Sequence, residues 1–69
     1  MYIHEAISEA MATGRCIRRK APAIWKRCKV EPTDSDEGCL LLSAFSMAPC
    51  PRWQPKAEDL MAGDWMLSP

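Results

Sequence analysis

Between Tyr2 and Gly14 the apolar residues Ile3, Ala6, Ile7, Ala10 and Met11 recur at i, i+3, i+4, i+7 and i+8, the spacing that lines one face of an α-helix. The stripe predicts a helix from Tyr2 to Gly14. Glu5 and Glu9 lie on its other side, where early acids suit the helix dipole, and Gly14, after Thr13, is the C-terminal stop. A one-sided helix must bury its stripe against the rest of a chain of only 69 residues. Residues 1–69 are therefore expected to form one domain. A chain this short hides only about 60% of the surface that its unfolded form exposes, so outside support from disulfides, metal or oligomerisation is common at this size.

The remainder reads as short strands. Arg15 to Lys20 is a strand with Cys16 and Arg18 on one face and Ile17 and Arg19 on the other. Ala21-Pro22-Ala23 breaks it, because proline cannot donate to a ladder. Ile24 to Val30 reads as a second strand. Pro32 to Gly38 is a polar turn, and Cys39 to Phe45 is a third strand, buried largely on both faces and paired with the second as a hairpin. After the irregular run Ser46 to Pro51, Pro55 suits the first turn of a short helix over Lys56 to Ala62, with Gly63 as its stop. Asp64 to Leu67 is the last strand. The fold expected is α+β: a small antiparallel sheet of three to four strands with an N-terminal helix and a short C-terminal helix, in the order α-β-β-β-α-β. Helices pack against one side, and the exposed sheet face or edge calls for a partner subunit.

Composition narrows the class. Hydrophobic residues make up 48% and charged residues 26%, which argues against disorder. The N-terminus carries acids where a secretion signal carries lysines, and the apolar stretch from Cys39 to Pro51 is too short and broken to span a bilayer; the cytosol is the expected compartment. The four cysteines stand at 16, 28, 39 and 50 with no CxxC, and the one histidine is His4. This spacing lacks a zinc pattern. In a reducing compartment such thiols act as small hydrophobes, spaced as if one per strand. No metal or cofactor is expected.

Net charge is zero, yet the charges are segregated. Arg15 to Lys29 holds seven basic residues and no acid; Glu31 to Glu37 holds four acids and no base. Such a local field suits a small anionic ligand, or else a solvated strand face beside an acidic turn. A nucleic-acid-binding regulatory protein using residues 15–29 is the alternative, although the neutral total weighs against it. Catalytic patterns are absent. Asp34 and Asp36 share a turn, and Glu58 and Asp59 occupy adjacent helix positions that face different ways.

Binding residues are better represented. Trp25, Trp53 and Trp65 are three large aromatics in a small chain, each able to stack on a base or to fill the core. Trp65, in a terminal apolar strand, reads as core. Trp53, in a proline-flanked loop, reads as ligand-facing, and Trp25 stands between. The helix start at Pro55 offers backbone N–H groups to an anion. Arg19 either lines a pocket for phosphate or carboxylate or pairs with an acid. Asp59 either accepts from a ribose hydroxyl or adenine amine or is that acid.

The run Trp53-Gln54-Pro55-Lys56-Ala57-Glu58-Asp59-Leu60-Met61-Ala62-Gly63-Asp64-Trp65 resembles the C-terminal signature of the phage Thoeris anti-defence type two family. Glu5-Ala6-Ile7 followed by Gly14-Arg15-Cys16-Ile17-Arg18-Arg19-Lys20 is similar to that family's opening helix, glycine stop and arginine-bearing strand. Two departures stand out: Pro22 occupies a place often held by tryptophan, and Lys56 one often held by serine. The resemblance implies a compact α+β, non-enzymatic sponge that forms homo-oligomers, typically tetramers. Such a sponge holds a cyclic ADP-ribose isomer uncleaved, so that the Thoeris effector is not activated, and some relatives take other cyclic nucleotides. It implies that Trp53 stacks the base, Arg19 or the basic ribbon neutralises the pyrophosphate, and Asp59 and Gln54 read hydroxyl and amine groups, with Trp25 and Pro55 beside them.

Overall fold

The computed structural model describes residues 1–68. Helix α1 spans Ile3–Thr13. The Tyr2 N–H, which has no helical partner, donates to Glu5 Oε1 at 2.9 Å, a partner that N-terminal amides require. Gly14 ends the helix in the left-handed region at φ 70°, with nothing crowding the position where a Cβ would stand. Gly14→Ala therefore carries only the backbone cost of that conformation, about 1–2 kcal/mol. It is expected to lower the thermal midpoint by about 5–10 °C in a domain of this size, read by circular dichroism.

Strands β1 (Cys16–Arg19), β2 (Cys28–Glu31), β3 (Leu40–Ser43) and β4 (Trp65–Ser68) form one sheet in the order β3-β2-β1-β4. Every pairing is antiparallel. A second short helix, α2 (Ala57–Met61), precedes β4. The class and element order are those the sequence predicts. Alternation along β1 is as expected too: Ile17 and Arg19 are buried, while Cys16 and Arg18 are half-exposed.

Beyond shifts of one or two residues at element ends, three features differ from the reading of the sequence. The strand expected over Ile24 to Val30 is cut in two: Ala23–Lys26 is a 3₁₀ turn and only Cys28–Glu31 pairs. The turn carries Trp25 into the core, 6% exposed, and burial of a large aromatic outweighs the local strand pattern. The third strand is half-buried along its whole length, not enclosed on both faces, because only one helix-bearing layer covers the sheet. Finally, α2 begins at Ala57 with Lys56 as its extended N-terminal flank, so Pro55 lies outside the helix instead of in its first turn.

The core lies between α1 and one face of the sheet. Ala6, Ala10, Ile17, Trp25, Val30 and Trp65 are buried together. Ala6 and Ala10 let the helix approach closely, and Ile17, Val30 and Trp65 supply the volume. The termini are joined: the Trp65 N–H donates to the Met1 carbonyl at 2.9 Å, and the Met1 ammonium donates to the Trp65 carbonyl at 3.0 Å. At the other edge Cys50 forms a bridge with Leu41. The four cysteines, all free, thus sit on β1, on β2, just before β3, and on the segment beside it.

Candidate functional site

Three tryptophans distant in sequence meet edge-to-face. Trp25 lies 5.2 Å from Trp65 and 6.1 Å from Trp53, and Trp53 lies 5.9 Å from Trp65, with interplanar angles of 68–86°. Edge-to-face packing sets the positive ring edge against the negative ring face, a favourable arrangement beyond area burial. Trp65 is the buried base of the cluster, and its indole N–H donates to the Asp59 carbonyl at 2.8 Å. Trp25 and the half-buried Trp53 reach a cleft of about 290 Å³. Ile24 and Leu41 add apolar wall, and Lys56, Glu58 and Asp59 supply the polar groups. Apolar walls with few polar groups are the usual make-up of small-molecule sites.

Arg19 organises the acidic side of this cleft from behind. Its Nε donates to Asp64 Oδ1 at 2.9 Å, and its Nη1 donates to Asp59 Oδ1 at 2.9 Å and Glu58 Oε1 at 3.2 Å. Of the two roles open to Arg19 in the sequence, pairing with acids is the one it takes here. It is 9% exposed, and a guanidinium removed from water needs such partners. The bond to Asp64 raises its pKa against the opposing effect of burial, and the bonds to Asp59 and Glu58 add to the rise. Burial alone would raise the Asp64 carboxyl; the Arg19 guanidinium and the Ala21 N–H outweigh it and hold it below the ordinary carboxylate value.

Glu58 and Asp59 were expected to face different ways, but both converge on Arg19 Nη1. The reason is that α2 is one short turn set beside Arg19, the last residue of β1, so neighbouring side chains reach one cation. Asp59 does more: its Oδ2 accepts the Lys56 N–H at 3.1 Å. The chain's own carboxylate thereby occupies the start of α2, where the sequence suggested an anion beside Pro55. Pro55 itself is half-buried, and Gln54 is exposed next to Trp53. Neither belongs to the cleft wall, whereas Trp25, Trp53 and Asp59 do.

Lys56 and Glu58 are wall residues that the sequence marks only as a departure from the family signature and as half of a carboxylate pair, without a place among the ligand-binding residues. Their position three and one residues before the Asp-Leu pair of the signature was the available signal. His4 stands apart on α1, stacked on Tyr2 at 6.5 Å.

The cleft thus joins aromatic and aliphatic walls to two carboxylates and one lysine, with Arg19 fixing the carboxylates from behind. The Tad2-like (Thoeris anti-defense 2-like) domain model matches residues 1–68, and the chain belongs to that family. Comparison with curated proteins and with solved structures gives no match.

Proposed function

We propose that this protein is a non-enzymatic sponge that binds a cyclic ADP-ribose isomer and withholds it from the Thoeris effector, acting in the cytoplasm of a phage-infected bacterium. The observation that carries the reading is the cleft whose wall joins Trp25 and Trp53 to Lys56, Glu58 and Asp59. Such a ligand combines a purine, two riboses and a pyrophosphate. Trp53, with a half-buried ring, stacks the purine, and the largely buried Trp25 backs it. Glu58 and Asp59 accept from ribose hydroxyls or the purine amine, with Gln54 at the rim beside Trp53. Lys56 faces the pyrophosphate, while Arg19 fixes the two carboxylates in place. No helix among the described residues is long and apolar enough to cross a membrane.

A cleft of about 290 Å³ lies at the small end of the range for ligand sites. A second subunit closing over it would bury more of the nucleotide, which fits the homo-oligomer, a tetramer, that family membership suggests. The alternative use of residues 15–29 on nucleic acid loses its continuous basic ribbon, because Arg19 turns inward to three acids.

Calorimetric titration with a cyclic ADP-ribose isomer, with linear ADP-ribose as control and recovery of intact ligand after heat denaturation, tests the proposal. Tight binding and unmodified release are expected. Trp53→Leu keeps apolar bulk against Trp25 and Trp65 but removes the ring face, and is expected to weaken binding by about 10- to 100-fold, the worth of one stacked base. Absence of heat with the cyclic isomer and with a panel of cyclic di- and trinucleotides would sink the sponge reading.

A further inference from the structure

The sheet face turned away from α1 has its own chemistry. Cys16, Leu40, Leu42 and Met66 are half-buried there and take no part in the cluster beneath the helix. Register orders this face into two rows. Ile17 pairs with Val30, which sets Cys16 beside Glu31 and Arg18 beside Lys29. The outer strands complete the rows, with Glu31 opposite Leu40, Lys29 opposite Leu42, Cys16 opposite Ser68 and Arg18 opposite Met66. One row therefore runs Leu40, Glu31, Cys16, Ser68, and the next runs Leu42, Lys29, Arg18, Met66.

The same polarity continues along the hairpin. Beyond Glu31 the turn carries Asp34, Asp36 and Glu37. Beyond Lys29, the residues Lys26 and Arg27 join Arg18 and Lys29 around a groove of about 580 Å³ whose wall, among the described residues, contains no acidic side chain. One end of the β2–β3 hairpin is thus acidic and the other basic, with apolar residues at both margins of the face.

Such a face is complementary to itself under one operation. A two-fold axis parallel to the rows lays the acidic row of each copy on the basic row of the other. Glu31 of one copy then meets Lys29 and Arg18 of the second, Leu40 meets Leu42, and the acidic turn lies over the basic groove. Each contact occurs twice, as an isologous interface requires. A two-fold axis along the strands would instead set Lys29 against Arg18, like charge against like, at a cost in affinity. We propose that this outer face is a homodimer interface with its axis parallel to the cross-strand rows. A tetramer of dihedral symmetry needs a second isologous interface besides this one, and this one leaves the tryptophan cleft, on the opposite side of the sheet, open.

The test is a charge swap in the full chain, with folding monitored by circular dichroism and tryptophan emission. Glu31→Arg, and separately Arg18→Glu with Lys29→Glu, are each expected to weaken self-association by on the order of 100-fold in sedimentation velocity, by placing like charges in contact. Mixing the two variants is expected to restore a dimer containing one chain of each, resolved by native mass spectrometry. Wild-type assembly in both variants alone, or no mixed dimer, overturns the proposal.

The wild-type chain supplies a second measurement that needs no variant. Alkylation of Cys16 by N-ethylmaleimide is expected to slow as protein concentration rises, with the exposed Cys50 as reference, and equal labelling at high and low concentration also overturns the interface. Failure of the sponge reading appears separately, as absence of ligand heat in the wild-type chain whatever its assembly.

Discussion

Trp65→Ala is expected to leave the chain without a cooperative unfolding transition at 25 °C. Trp65 is 1% exposed and touches both other tryptophans. Its indole N–H satisfies the Asp59 carbonyl, and its backbone ties β4 to Met1. Truncating a buried tryptophan costs about 3–5 kcal/mol. A domain of this length holds only about 3–10 kcal/mol in total, so one substitution removes much or all of it. Trp65→Phe separates the two contributions. It keeps an aromatic plate but orphans the Asp59 carbonyl, a loss of about 1–3 kcal/mol, and is expected to remain folded with a lower midpoint in urea. A midpoint for Trp65→Ala equal to that of the wild-type chain would show that the cluster is not the core.

Arg19→Met is expected to have the second largest effect, and one that depends on pH. Without the guanidinium, Asp59, Glu58 and Asp64 face one another with no cation among them, and the first and last are largely withdrawn from water. At pH 7 the thermal midpoint is expected to fall by on the order of 10 °C. In the wild-type chain the Asp64 carboxyl is held below its ordinary value. Its contribution is therefore complete above the unfolded carboxylate pKa, about 3.9, and is lost as pH falls through the lower folded value. In Arg19→Met the clustered carboxylates repel one another, so protonation relieves the variant while it weakens the wild-type chain. The two midpoints are expected to converge between pH 7 and pH 3. Parallel profiles would show that the ion cluster contributes little.

Much of the scaffold was legible because it is local. The stripe from Ile3 to Met11 makes α1, since residues three and four apart share a helix face, and Gly14 stops it because a residue without Cβ enters the left-handed region freely. Ile17 and Arg19 point inward and Cys16 and Arg18 outward because a strand alternates at every residue. The prolines and the Pro32 to Gly38 turn separate the strands for equally local reasons. Trp25 was misplaced on a strand because its neighbours alternate like one, while the force that coils Ala23–Lys26 is burial of the indole against Trp53 and Trp65, far along the chain.

The site was only partly legible. Trp25, Trp53 and Asp59, named as binding residues from the sequence, line the cleft, whereas Lys56 and Glu58, legible only as a signature departure and a paired carboxylate, gain their place there from the fold, and Gln54 and Pro55 lie outside the wall. The sequence by itself determined the helix, the alternation of β1, the order of the elements and the family to which they belong, since each is written in residues a few positions apart. Tertiary structure alone decided that Arg19 spends its donors on Glu58, Asp59 and Asp64, across separations of 39, 40 and 45 residues. No local pattern encodes such pairings: they form when the sheet order β3-β2-β1-β4 brings the chain's end beside its first strand, and a buried cation then takes whatever carboxylates lie within reach.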